Sequence, residues 1–246
     1  MPADRPAGGV ALRERWERLA ATRPRVWAVL PGLVLIGLGL LAFVGLLDAV
    51  REANDISRFD RPVLEWLVAS RGSLATAVFS VITLVAGPLV LPVLVAVACA
   101  AWGRRHHERW RPLLLAGAMV ASTVISLAIK GIVARPRPPV ATMVVPGADM
   151  TASFPSGHTI GASTLLLVAW YLVVSRRPTA RRLVLWGLAT VLGAVAVGLS
   201  RLYLGYHFLT DVLAAIALAV AILGGVSIVD RLHLLRDRRR RRAPGE

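Results

Sequence analysis

The sequence predicts an all-α integral membrane protein, a six-transmembrane-helix bundle with both termini in the cytoplasm. The 246-residue chain is 56% hydrophobic, and its mean hydropathy is +0.65. Six stretches, 26–48, 75–102, 112–130, 159–175, 183–200 and 211–229, have no charge in their interiors. Each approaches or exceeds the roughly 20 apolar residues that cross a hydrocarbon core. Of the 29 Lys and Arg residues, 21 fall in the N-terminus, the 103–111 and 176–182 loops and the C-terminus, which share one side of a six-span chain. Positive charge marks the cytoplasmic side.

In chain order, residues 1–25 form a cytoplasmic segment in which Leu12, Trp16 and Leu19 recur at helical spacing among arginines, the pattern of an interfacial helix. The first span exceeds the 7–15 residues or so of a signal-peptide core, and no small-residue cleavage pattern follows it, so it is expected to be retained. In the outer loop 49–74, Phe59, Val63 and Leu67 at helical spacing, followed by Gly72, predict a short surface helix. Gly87-Pro88 and Pro92 predict a kink or break in the second span. Cys99, the single cysteine, lies in that span and leaves no disulfide framework or cysteine metal site. The outer loop 131–158 contains Pro136, Pro138 and Pro139 and is irregular. The membrane domain extends over 26–230. A basic tail, 231–246, carries the run RDRRRRR, read as binding anionic headgroups or fixing orientation, with no nucleic-acid partner.

Ionisable residues collect at helix ends. Lys130 closes the third span, His158 opens the fourth, Arg201 closes the fifth, and His207 and Asp211 stand at the start of the sixth. Helix ends alternate sides, so these groups share one rim, which the charge bias places outside the cytoplasm. Charge-free span interiors disfavour a translocation path. Lys130, Arg137 and Arg201 are three cations suited to phosphate oxygens. "PSGH" before an apolar run offers the backbone N–H groups of Ser156 and Gly157 at a helix start, the Ser156 hydroxyl and, at Gly157, room for close approach. Ser-Gly there is equally an ordinary helix cap. His207 and Asp211, four apart, share a face on helical geometry. The carboxylate fixes the tautomer and readies the other ring nitrogen to attack or to take a proton. His158 is then free to act as a general acid. Together these groups suggest phosphoryl transfer.

"KGIVARPRP" from Lys130, "PSGH" at 155–158 and "SRLYLGYHFLTD" from Ser200 resemble the complete three-part signature of the type 2 phosphatidic acid phosphatase family. The motifs cover 130–211 without departure at a signature position. The resemblance implies that His207 is a nucleophile forming a phosphohistidine, that Asp211 orients it and that His158 protonates the leaving group. It also implies that Lys130, Arg137, Ser156, Gly157 and Arg201 hold the phosphate, with no metal or cofactor. The expected activity is hydrolysis of a lipid phosphate or pyrophosphate at the extracytoplasmic face of the cell membrane. The layout resembles undecaprenyl pyrophosphate phosphatases and phosphatidylglycerophosphate or phosphatidate phosphatases alike, so the lipid and the oligomeric state stay open. A pyrophosphate substrate calls for an extra cation, for which Arg135 is the candidate. The alternatives are a lipid phosphotransferase using the same intermediate, or a non-catalytic lipid-binding membrane protein.

Overall fold

The computed structural model describes residues 24–147, 149, 151–176 and 178–242. The expected interfacial helix around Leu12, Trp16 and Leu19 lies outside the described residues. Among these residues are eight α-helices: α1 (Pro24–Glu52), α2 (Asp60–Ala69), α3 (Ser73–Val85), α4 (Val90–His106), α5 (Trp110–Val133), α6 (Gly157–Val174), α7 (Ala180–Tyr203) and α8 (Leu209–Arg242). Five of them, α1, α5, α6, α7 and α8, are long and apolar enough to cross a membrane. The pair α3 and α4, bent by 55° at a short break, is apolar and long enough to make a sixth crossing when taken as one span. That break falls at Gly87-Pro88, where the sequence predicts it, because proline removes a helix hydrogen bond and glycine tolerates the turn.

The last span departs from expectation: α8 continues to Arg242, well past 229 and into the basic tail. No Gly or Pro occurs from Val226 to Arg242, and Leu and Arg are good helix formers. The expected helix in the 49–74 loop exists as α2, with Asp60 and Leu64 in place of Phe59 and Val63 on its buried face. Asp60, Leu64 and Leu67 are buried, whereas Phe59 sits in a preceding 3-10 turn and is 51% exposed. This turns Asp60 inward, where it has partners described below.

α8 is the most enclosed span and packs against α1 and α6, with α5 and α7 flanking α6. The α1 and α8 backbones approach closely through small residues. A Cβ on Gly224 would lie 2.5 Å from the Gly32 carbonyl oxygen, and one on Gly39 would lie 2.6 Å from that of Ala217. In lipid, where apolar side chains gain nothing by meeting each other rather than acyl chains, this backbone proximity supplies the packing. The outer faces of α1, α3, α4 and α7 leave large apolar side chains such as Leu41, Leu74, Val97 and Leu192 exposed, as lipid contact requires.

The end of the bundle opposite the polar rim is tied by buried polar bonds. Asp230 accepts from the Trp110 indole N–H at 2.9 Å and from the Tyr171 hydroxyl at 3.0 Å, joining α5, α6 and α8. Arg111, read from sequence as part of a basic loop, is buried and donates to the Leu172 carbonyl. At the other end, the C-terminal turn of α5, the N-termini of α6 and α8 and the C-terminal turn of α7 converge.

Candidate active site

Local sequence sets this rim. α5 stops after Val133 because Ala134 adopts a left-handed conformation, φ 48°, and the prolines that follow cannot continue a helix. Ser156 caps α6, its hydroxyl accepting from the Thr159 N–H at 3.5 Å. After α7 the chain turns at Gly205, φ 80°, where a Cβ would lie 2.0 Å from the Thr142 carbonyl oxygen, so only glycine fits. This turn delivers His207 two residues ahead of α8. The expectation that His207 and Asp211 share a helical face is therefore corrected: His207 precedes the helix, and Asp211 lies in its first turn.

The two are nevertheless in contact, His207 Nδ1 to Asp211 Oδ2 being 3.3 Å. The same Oδ2 accepts the Phe208 N–H at 2.9 Å and the Ser153 hydroxyl, while Oδ1 accepts Arg135 Nη1 at 2.6 Å. Arg137 Nη1 lies 3.3 Å from His207 Nε2. A guanidinium can only donate, so Nε2 carries the lone pair and Nδ1 carries the proton toward Asp211. Burial pushes the His207 imidazole down to about 4, with Arg201 and Arg137 acting the same way against the Asp211 carboxylate. His207 is thus neutral at neutral pH.

Its depressed folded value lies below the unfolded value near 6.5, so its contribution to stability is present above about 6.5. That contribution is lost as pH falls toward about 4, because the unfolded chain takes up the proton first. Thermal unfolding in detergent is expected to drop more steeply between pH 6.5 and 4.5 in wild type than in His207→Gln. Parallel curves for the two proteins would contradict a buried neutral imidazole.

The cations surround this pair. Arg137 donates to the Tyr206 carbonyl at 2.8 Å and the Thr151 carbonyl at 2.6 Å. Arg201 is 3% exposed, donates to the Thr83 hydroxyl at 2.6 Å and stacks over Tyr206, with its Nε buried and lacking a partner among the described residues. Lys130 is buried and donates to the Ala152 carbonyl. Lys130, Arg137, Gly157 and His158 line a cleft of about 310 Å³ that extends between α4, α5 and α6 along Leu91, Met119 and Ser126. His158 is half-buried in the first turn of α6, facing the bend at Gly87.

Three features were not legible in the sequence. Asp149 bridges two of the cations, at 2.7 Å from Arg137 and 3.2 Å from Arg201. Although burial opposes ionisation, Arg137, His207 and Arg201 hold its carboxyl below the usual range. The Ser156 N–H, expected to be free, is donated to the Asp211 carbonyl at 3.1 Å. Arg135, a candidate free cation, is instead committed to Asp60 and Asp211. Asp149, Ser153 and Asp60 belong to no motif; the folded 131–158 loop brings Asp149 and Ser153 to the rim, and the start of α2 brings Asp60.

Among the described residues, no three of His, Cys, Asp and Glu are grouped to hold a metal ion. The arrangement offers a neutral imidazole whose Nε2 lone pair faces Arg137, flanked by three cations and a second histidine, next to an apolar cleft.

Residues 111–232 match the PAP2 superfamily. The chain is 29% identical over 184 residues to phosphatidylglycerophosphatase B of Bacillus subtilis (strain 168), covering 74% of this chain and 88% of that protein. It is 33% identical over 131 residues to undecaprenyl-diphosphatase BcrC of the same organism, covering 51% and 62%. Among solved structures, it matches the transmembrane PAP2-type phosphatidylglycerolphosphate phosphatase from Bacillus subtilis with a TM-score of 0.71 at 26% identity, over 81% of this chain and 95% of that one. Aquifex aeolicus LpxE shares the fold, with a TM-score of 0.53 at 22% identity over 70% and 95% of the two chains.

Proposed function

This chain belongs to the PAP2 superfamily, and on that premise we propose that it is a metal-independent phosphatase of a membrane lipid, acting at the extracytoplasmic face through a phosphohistidine on His207. His207 Nε2 attacks phosphorus, and the bond from phosphorus to the lipid oxygen breaks. His158 delivers the proton to that departing oxygen. Water then attacks the phosphohistidine, His158 takes back a proton, and inorganic phosphate leaves with the imidazole restored. Lys130, Arg137 and Arg201, with the Gly157 N–H at the start of α6 and the Ser156 hydroxyl, hold the equatorial oxygens as charge shifts.

The observation that carries this reading is the orientation of His207, tied at Nδ1 to Asp211 and facing Arg137 with Nε2. The apolar cleft leading away from Lys130 and His158 supports a lipid tail as the rest of the substrate. The distribution of Lys and Arg supports cytoplasmic termini and an outward-facing site.

For the headgroup we favour a phosphate monoester. A diphosphate needs a further cation, and the two other arginines nearby are occupied: Arg135 by Asp60 and Asp211, and Arg71 by the carbonyls of Tyr203 and Thr142. The test is phosphate release by the detergent-purified protein with chelator present, on phosphatidylglycerophosphate, phosphatidate, undecaprenyl diphosphate and diacylglycerol diphosphate. Release from the monoesters is expected to exceed that from the diphosphates. Release only on adding metal, or only when an acceptor alcohol receives the phosphate, would overturn the hydrolase reading.

Asp149 occupies two of the cations that the phosphate needs. Removing its charge is expected to tighten anion binding, so that Asp149→Asn lowers the concentration of orthovanadate needed for half inhibition by about tenfold, or roughly 1.4 kcal/mol. Unchanged or weaker inhibition would show that phosphate binds without displacing this carboxylate.

A further inference from the structure

Asp60 and Arg135 lie outside the groups assigned above to attack, proton transfer or phosphate binding, yet they form a charged cluster directly behind the histidine. Asp60 opens α2, 150 residues from its partners on α8, and is 3% exposed. Its Oδ1 accepts the Thr210 N–H at 2.9 Å, and its Oδ2 accepts the Thr210 hydroxyl at 2.7 Å. It thus satisfies an orphan donor at the start of α8 from a different helix. Oδ2 also receives Arg135 Nη2 at 2.7 Å.

Arg135 uses its other arm on α8. Nη1 donates to Asp211 Oδ1 at 2.6 Å and to the Thr210 hydroxyl at 2.7 Å, and the guanidinium lies 4.5 Å from the Phe208 ring centroid. One planar fork therefore joins two buried carboxylates, a geometry that lysine cannot reproduce. Asp211 has its two oxygens divided: Oδ1 faces Arg135, and Oδ2 faces His207, Ser153 and the Phe208 N–H.

We propose that Arg135, anchored by Asp60, is a positioning residue that fixes the Asp211 carboxylate with Oδ2 toward His207 and offsets part of its negative charge. This rests on the reading of His207 as the nucleophile. A carboxylate without its cation exerts a stronger field on the imidazole, which then holds a proton to higher pH. The other charged or titratable groups facing His207 are Arg137 from the proline loop, Arg201 from α7, Asp149 from the same loop as Arg137 and His158 from α6. None of them bonds Arg135, so they stay in place when it is changed.

The experiment compares wild type, Arg135→Gln, Arg135→Lys and the double variant Asp60→Asn/Arg135→Gln in detergent, using a short-chain phosphatidate over pH 4 to 8. The double variant removes the buried charge pair together and so avoids leaving Asp60 uncompensated should Arg135→Gln fail to fold. In Arg135→Gln and in the double variant, kcat at neutral pH is expected to fall at least about tenfold, with KM within about twofold. The acid limb of kcat/KM is expected to move up by about one pH unit. Arg135→Lys, which keeps the charge and loses the fork, is expected to restore most of the limb position and little of kcat. An acid limb that stays at its wild-type position in folded protein, or a loss confined to KM, would overturn the proposal and leave Arg135 a purely structural bridge. If instead His207→Ala keeps its activity, the underlying reading fails, which is a separate outcome.

Discussion

His207→Ala is expected to lower lipid phosphate release by about 1,000-fold or more, since the proposed nucleophile is gone and only the binding contribution remains. The fold should survive. Asp211 still accepts from Ser153, the Phe208 N–H and Arg135, so truncation leaves no unpaired buried charge. The variant should keep the wild-type elution profile in detergent and still bind orthovanadate, though without the tightness of a covalent adduct. A folded His207→Ala protein with more than about a tenth of wild-type turnover would rule out the nucleophile assignment.

The second large effect is selective. His158→Ala is expected to slow turnover of an alkyl lipid phosphate by about 100- to 10,000-fold, the usual range for a lost general acid. On p-nitrophenyl phosphate, whose leaving group departs without a proton, the loss should be less than about tenfold in the first step. That first step is read from the burst of p-nitrophenol, because His158 also serves the later attack by water. His158 is placed for this by its half-buried position in the first turn of α6, beside Lys130 and Arg137. Equal losses on both substrates would assign His158 to phosphate binding and not to proton transfer.

Some features of the molecule could be read before folding and others could not, for physical reasons. Apolar length and the distribution of arginines predict six crossings. The structure has five long apolar helices and one bent pair, with the bend at Gly87-Pro88. Alternation of helix ends places Lys130, His158, Arg201 and Asp211 on one rim, and the structure brings them together there. The contact between His207 and Asp211 was anticipated, though not its form. Gly205 breaks the chain ahead of α8, so the pair is joined by a turn and not along a helix.

Asp149, Ser153 and Asp60 were invisible because nothing local distinguishes them. Asp60 resembles any acidic residue at a helix start, and its inward turn follows from Thr210 and Arg135, distant in sequence. Arg135 shows the opposite difficulty. A loop arginine is ordinarily solvated, and only the proximity of two buried carboxylates draws this one inward. In the tail, the charge run drew attention to headgroup contact, whereas the lack of Gly and Pro from Val226 to Arg242 is what lets α8 continue through it as helix.

The most direct test of the account is to trap the intermediate. The protein is mixed with a lipid phosphate labelled in its terminal phosphate, quenched in strong base within the first turnovers, digested and sequenced by mass spectrometry. A base-stable, acid-labile phosphoryl group is expected on the imidazole of His207, absent from His207→Ala and accumulating to a higher level in a variant that slows attack by water. Rapid turnover with no label on the chain, or label on His158 with His207 unmodified, would contradict it.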